Sequence, residues 1–153
     1  IQHPCADQFS VVFKPQALVA RTGTFLLKNS DKVNHNVKSG SKYTDFNPNL
    51  APGDTFEVTF SRAEDPFPAT CAIHAWMAFY TLVVDHPFAA FTDDKGMFRI
   101  PNLPAGTYEF RIWNERGDKG KPGALERKFT VTIPPGAETD LQTKSFPASQ
   151  FGL

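Results

Sequence analysis

Cys71, His74 and Met77 lie within one short stretch, TCAIHAWM, with the spacing Cys-x2-His-x2-Met. The chain has only two cysteines, four histidines and two methionines in 153 residues, so three potential metal donors in one place form a concentration that needs a reason. The flanks suggest one. "FPAT" reads as the end of a strand and "AFYTLVV" as the start of the next. A tight loop between neighbouring strands can aim three side chains at a single point. A thiolate and a thioether are soft donors and an imidazole is intermediate, a set that suits copper in both of its oxidation states. Zinc fits less well, because it rarely takes thioether sulfur and a structural zinc site calls for four Cys or His ligands. A mononuclear copper would need one more nitrogen, and His3, His35 and His86 are the remaining histidines.

Each of these residues has a plainer role to set beside the chemical one. Cys71 could pair with Cys5 in a disulfide, although a bridge accounts for neither His74 nor Met77; Cys5 is otherwise a free or buried thiol. Met77 could fill a gap in the core, and Trp76 could be a core or rim aromatic. His86, in "DHPF", is expected to orient a turn, and His3 to be solvated. Asp93 and Asp94 lack the spaced oxygen ligands of a calcium loop and are expected to form a turn. No Ser-His-Asp order, glycine-rich phosphate loop or convincing pair of carboxylates is present, so the chain is not expected to be an enzyme.

The elements that must position these donors are short strands. Thirteen prolines and ten glycines punctuate the chain, with β-type runs between them: FSVVF, ALVAR, TFLLKN, NVKS, DTFEVTF, AFYTLVV, MFRI, TYEFRIW and RKFTVTI. In DTFEVTF, Phe56, Val58 and Phe60 share one face. In RKFTVTI, Phe129, Val131 and Ile133 do. AFYTLVV is almost wholly apolar and reads as an inner strand. No long window carries a helical period. The expected fold is therefore all-β, an antiparallel sandwich or barrel. Polar loops, among them "SRAEDPFP", are long before "VVDHPF", and tight hairpins dominate after it. This places a boundary at Asp85 or His86, dividing the chain into 1–85, 86–147 and a tail, 148–153, expected to be poorly ordered.

Sixteen basic residues balance sixteen acidic ones. A neutral chain has no electrostatic footprint for nucleic acid or an anionic membrane, and no apolar run is long enough to span a bilayer. The opening at Ile1, without a methionine, suggests an exported protein whose signal peptide has been removed; the expected location is periplasmic or extracellular.

"NHNV" (34–37) followed by "CAIHAWM" (71–77) resembles the blue copper proteins, the cupredoxins, over roughly residues 8 to 84. Plastocyanin-like members supply their first histidine from a similar stretch, and amicyanin-like members have a short Cys-x2-His-x2-Met loop. The resemblance implies a Greek-key sandwich and one copper, cycling between Cu(I) and Cu(II). It implies His35 and His74 as imidazole ligands, Cys71 as thiolate and Met77 as weak axial ligand. It also implies that Asn36 ties the two ligand loops together, its backbone N–H to the sulfur and its side chain to the loop near Thr70. Ile73 and Ala75 stand where amicyanin-like loops often carry prolines, a departure that would shift the reduction potential.

The later stretch FTDDKGMFRIPNLPAGTYEFRIW (91–113) resembles the carboxypeptidase regulatory-like module, a small transthyretin-like sandwich without catalytic residues. Gly96 would sit in one turn and Pro104-Ala105-Gly106 in the next, with Phe98, Ile100, Tyr108, Phe110 and Ile112 on the inner face. The order of the two halves also resembles bacterial exported proteins that join a cupredoxin-like half to this module. Those often read Trp-His-Glu where this chain has Trp113-Asn114-Glu115.

The function these resemblances imply is single-electron transfer between redox proteins. His74 would be the electron port, and Trp76 part of a surface for transient apolar docking. The alternatives are copper storage or delivery, and a structural β-sandwich with a degenerate copper motif.

Overall fold

The computed structural model describes residues 5–9, 12–14 and 17–153, with side chains for Ala6 and residues 18–153. The protein is an all-β sandwich, and among the described residues its one helical element is a 3-10 turn, Ala148–Phe151. Two compact units divide at Phe98 and Arg99. His3 lies outside the described residues, as does the side chain of Cys5.

The strands of the first unit, in chain order, are β1 (Cys5–Phe9), β2 (Val12–Lys14), β3 (Ala17–Arg21), β4 (Gly23–Asn29), β5 (His35–Asn36), β6 (Lys38–Ser39), β7 (Asn49–Leu50), β8 (Thr55–Phe60), β9 (Glu64–Thr70) and β10 (Ala78–Val84). One sheet has the order β2-β1-β4-β8 and the other β3-β10-β9-β6, while β5 and β7 pair separately. The chain leaves the first sheet after β2, enters the second as β3 and returns as β4. As a result β1–β4 and β3–β10 are parallel pairs beside antiparallel neighbours. Of FSVVF, which reads as one strand, Phe9 lies in β1 and Val12 and Phe13 in β2, while Ser10 and Val11 lie outside the described residues.

Period-two alternation explains which residues meet between the sheets. Phe25, Leu27 and Asn29 point inward from β4, Val58 and Phe60 from β8, Phe67 and Ala69 from β9, and Phe79, Thr81 and Val83 from β10. Phe60 joins the two layers. Its ring centroid lies 6.0 Å from that of Phe25, 6.2 Å from that of Phe67 and 6.5 Å from that of Phe46. Each such buried side chain contributes about 1.5–3 kcal/mol. Phe56, the first aromatic of the alternating run, is exposed at the start of β8.

"SRAEDPFP" differs from its expected role as a loop, because β9 begins within it at Glu64. One of its two prolines, Pro66, is tolerated for a local reason. Phe67 pairs with Thr81 and Glu64 with Val83, with a register shift between them. Asp65 and Pro66 therefore fall in a bulge, where a missing N–H breaks no ladder bond. After β10, His86 Nδ1 accepts the N–H of Phe88 and the two rings stack, as expected of a turn. Asp93 likewise closes a turn, its Oδ1 accepting the N–H groups of Lys95 and Met97, with Gly96 at φ 77°.

The second unit is built on β11 (Gly106–Asp118) and β12 (Lys121–Ile133), a long antiparallel ribbon. TYEFRIW and RKFTVTI lie within these strands. MFRI forms no strand; it sits between the Gly96 turn and Pro101, and no strand among the described residues pairs with it. Phe110 stacks on Phe129, with centroids 5.7 Å apart, and Tyr108 Oη donates to the Pro104 carbonyl at 3.0 Å. Phe98 and Ile100 are not buried, and Tyr108, Phe110 and Ile112 are only half-buried. Residues 148–151, where little order is expected from sequence, instead close the 3-10 turn against the ribbon. The Lys119 N–H donates to the Gln150 carbonyl at 2.8 Å, and Gln150 Nε2 to the Leu125 carbonyl at 2.8 Å.

Candidate metal centre

Two segments from distant parts of the chain build the centre. The first is the short β5, paired with β7 so that His35 stands opposite Leu50 and Asn36 opposite Asn49. The second is the loop 71–77 between β9 and β10. Thr70 and Ala78 pair across its base, and one further backbone bond, Cys71 N–H to the Met77 carbonyl at 3.1 Å, narrows its mouth. The Met77 N–H donates to the His74 carbonyl at 2.9 Å, which turns the loop back on itself.

These two segments bring His35, Cys71 and His74 together, with one donor atom of each within 4.8 Å of the others. His74 Nδ1 lies 3.2 Å from His35 Nδ1 and 3.7 Å from Cys71 Sγ. His35 and Cys71 are buried and His74 is half-buried. Cys71 is a free thiol, so the disulfide alternative is not the arrangement adopted. The spacing fits a shared cation. Two imidazole nitrogens each about 2.0–2.1 Å from one ion at a tetrahedral angle would stand about 3.3–3.4 Å apart. Without a cation or a proton between them, two lone pairs at the observed distance would repel. Met77 is buried in the apolar core, 2% exposed.

Asn36 links the two segments. Its backbone N–H points at Cys71 Sγ at 3.4 Å, where a donor stabilises negative charge on sulfur. Its Oδ1 accepts the N–H of Ala72 at 3.2 Å. The side chain thus meets the loop just past Cys71, while Thr70 is exposed and belongs to the β9 ladder. Asn36 Nδ2 turns the other way, to Asn47 Oδ1 at 2.8 Å and the Pro48 carbonyl at 3.0 Å. Trp76 is 71% exposed and Ile73 52% exposed, and the Trp76 ring lies 5.4 Å from that of His74.

Sequence reasoning missed the supports beneath β5. Asp31 Oδ2 lies 3.2 Å from His35 Nε2. Asn29, wholly buried, donates from Nδ2 to the carbonyls of Val33 and Leu50, each at 2.9 Å. The available signal was the polar run NSDKVNH, which places four short hydrogen-bonding side chains, Asn29 and Asp31 among them, just ahead of a histidine.

No family model matches this chain, and no curated protein sequence does. Solved structures do. A copper-containing nitrite reductase (NirK) from Thermus scotoductus aligns at 19% identity and TM-score 0.51 over 56% of this chain and 23% of its own. A purple cupredoxin from Nitrosopumilus maritimus aligns at 25% identity and TM-score 0.46, over 53% of this chain and 99% of its own. An oxidised amicyanin variant aligns at 18% identity and TM-score 0.48, over 54% of this chain and 82% of its own. The fold is cupredoxin-like, and the groups it brings together, two imidazoles and a cysteine sulfur, could hold a metal ion.

Proposed function

We propose that the first unit is a type 1 copper protein that carries single electrons between redox partners, with His35, Cys71, His74 and Met77 holding one ion. The observation that carries this reading is the approach of both Nδ1 atoms and the Cys71 sulfur to one point. Bound there, copper would supply a one-electron couple between Cu(I) and Cu(II). The residues do the rest. Cys71 binds as a thiolate, and the Asn36 N–H spreads its charge. The narrow base of the loop 71–77 and the buried His35 keep the donors from relaxing when charge changes, which low-reorganisation transfer requires.

His74, half-buried beside exposed Ile73 and Trp76, offers the path outward. A small apolar patch suits weak, short-lived docking of a protein partner. The reading does not involve catalysis, and it goes with an exported, periplasmic or extracellular protein. For residues 86–147 we propose a carboxypeptidase regulatory-like module. It is supported by the turn at Gly96, the Tyr108–Pro104 bond and the aromatic contacts of the ribbon.

Titration with copper(II), followed by visible absorption, tests the function. An intense thiolate-to-copper band at one equivalent is expected, and Cys71→Ser should abolish it. A colourless protein that binds copper(I) tightly would point to storage or delivery. No stoichiometric binding would leave a structural sandwich.

A further inference from the structure

We propose that Asp31 is a positioning residue for the centre: its carboxylate selects the tautomer of His35 and biases the site toward the more highly charged metal. This deepens the reading above and rests on it. His35 is fully buried, and its Nε2 faces Asp31 Oδ2 at 3.2 Å while its Nδ1 faces His74 and, beyond it, Cys71. A carboxylate can only accept, so the ring proton belongs on Nε2 and the lone pair on Nδ1, the atom that faces the other donors. A free imidazole in water has no such commitment. The pairing removes that choice before any metal arrives.

The contact is built rather than incidental. The Asp31 side chain is only 13% exposed. Its second oxygen accepts the Lys32 N–H at 2.7 Å, and its own N–H is held by Asn29 Oδ1 at 2.9 Å. Asn29 also grips the carbonyl of Leu50, the residue directly opposite His35 in the β5–β7 pair. One buried asparagine therefore fixes both the loop that carries the carboxylate and the strand beside the imidazole. An anion bonded to a ligating imidazole raises its basicity and favours Cu(II) over Cu(I) by simple attraction.

Two measurements on the full chain test this. The first needs no metal. Nitrogen-15 NMR of the metal-free protein should show His35 as the Nε2–H tautomer, with that preference lost in Asp31→Ala; an Nδ1–H tautomer in the unsubstituted protein would overturn the proposal. The second uses copper alone. In Asp31→Asn, affinity for Cu(II) should fall about 10–100-fold with a smaller change for Cu(I), and Asp31→Glu should restore part of it. Each tenfold gap between the two states raises the potential by about 59 mV. A folded Asp31→Asn protein with unchanged potential and unchanged affinity would overturn the proposal. Failure of the unsubstituted protein to take up copper would instead sink the proposed function, while the tautomer measurement still decides the role of Asp31.

Discussion

The two units hold their strands by different means. In the first, rings from facing sheets meet at Phe60, and most inward positions of β4, β8, β9 and β10 are buried. In the second, β11 and β12 run together as a ribbon whose buried residues are Gly117 and Val131. Its side-chain links are mostly exposed, such as Lys128 to Glu109 at 2.8 Å. A ribbon can rely on its ladder, but a metal centre needs a frame closed on both faces. The loop 71–77 joins two inner strands of the sandwich, β9 and β10, each flanked by further strands. Cys71 is thus buried at the end of a strand whose support comes from the packing behind the loop.

Substitutions should separate the units. Phe60→Ala empties the contact between the sheets and should destabilise the first unit by about 3–5 kcal/mol. Phe110→Ala, on a half-buried ring of the ribbon, should cost only about 1 kcal/mol. Chemical denaturation followed by probes in each unit checks this. Equal losses would remove the contrast.

Asn29→Ala sharpens the comparison within the first unit. It strips the buried Leu50 carbonyl and the half-buried Asp31 N–H of a partner, and a buried group left unmet costs about 1–3 kcal/mol. The sheets should survive while the β5 region loosens, seen as faster amide exchange at His35 and Asn36 than at Phe79. The smallest effect belongs to the ribbon. Lys128→Ala removes a bond between exposed partners and should change stability by about 0–1 kcal/mol, with the thermal midpoint as the readout.

The all-β character, the inner strand at residues 78–84 and the Cys-His-Met loop were legible because alternation, turn residues and donor types are local properties. The start of β9 was not, since "SRAEDPFP" reads as a loop until a bulge shows how Pro66 is accommodated. MFRI misled in the opposite direction. Its composition suits a strand, but a strand also needs a neighbour, and no strand among the described residues pairs with it. The importance of NSDKVNH was hidden for a similar reason: a polar run reads as a solvated turn until burial shows Asn29 to be entirely enclosed.

From the linear order of residues came the kinds of donor, the alternation that makes strands, and the turn at Gly96. Only tertiary structure decided that His35 faces His74 at 3.2 Å, that the Asn36 N–H reaches the Cys71 sulfur, and that Asp31 stands behind the buried imidazole. Donor chemistry resides in single residues and survives in a linear string. Convergence depends on the register between strands far apart in the chain, and that register is set by the packing of the whole core.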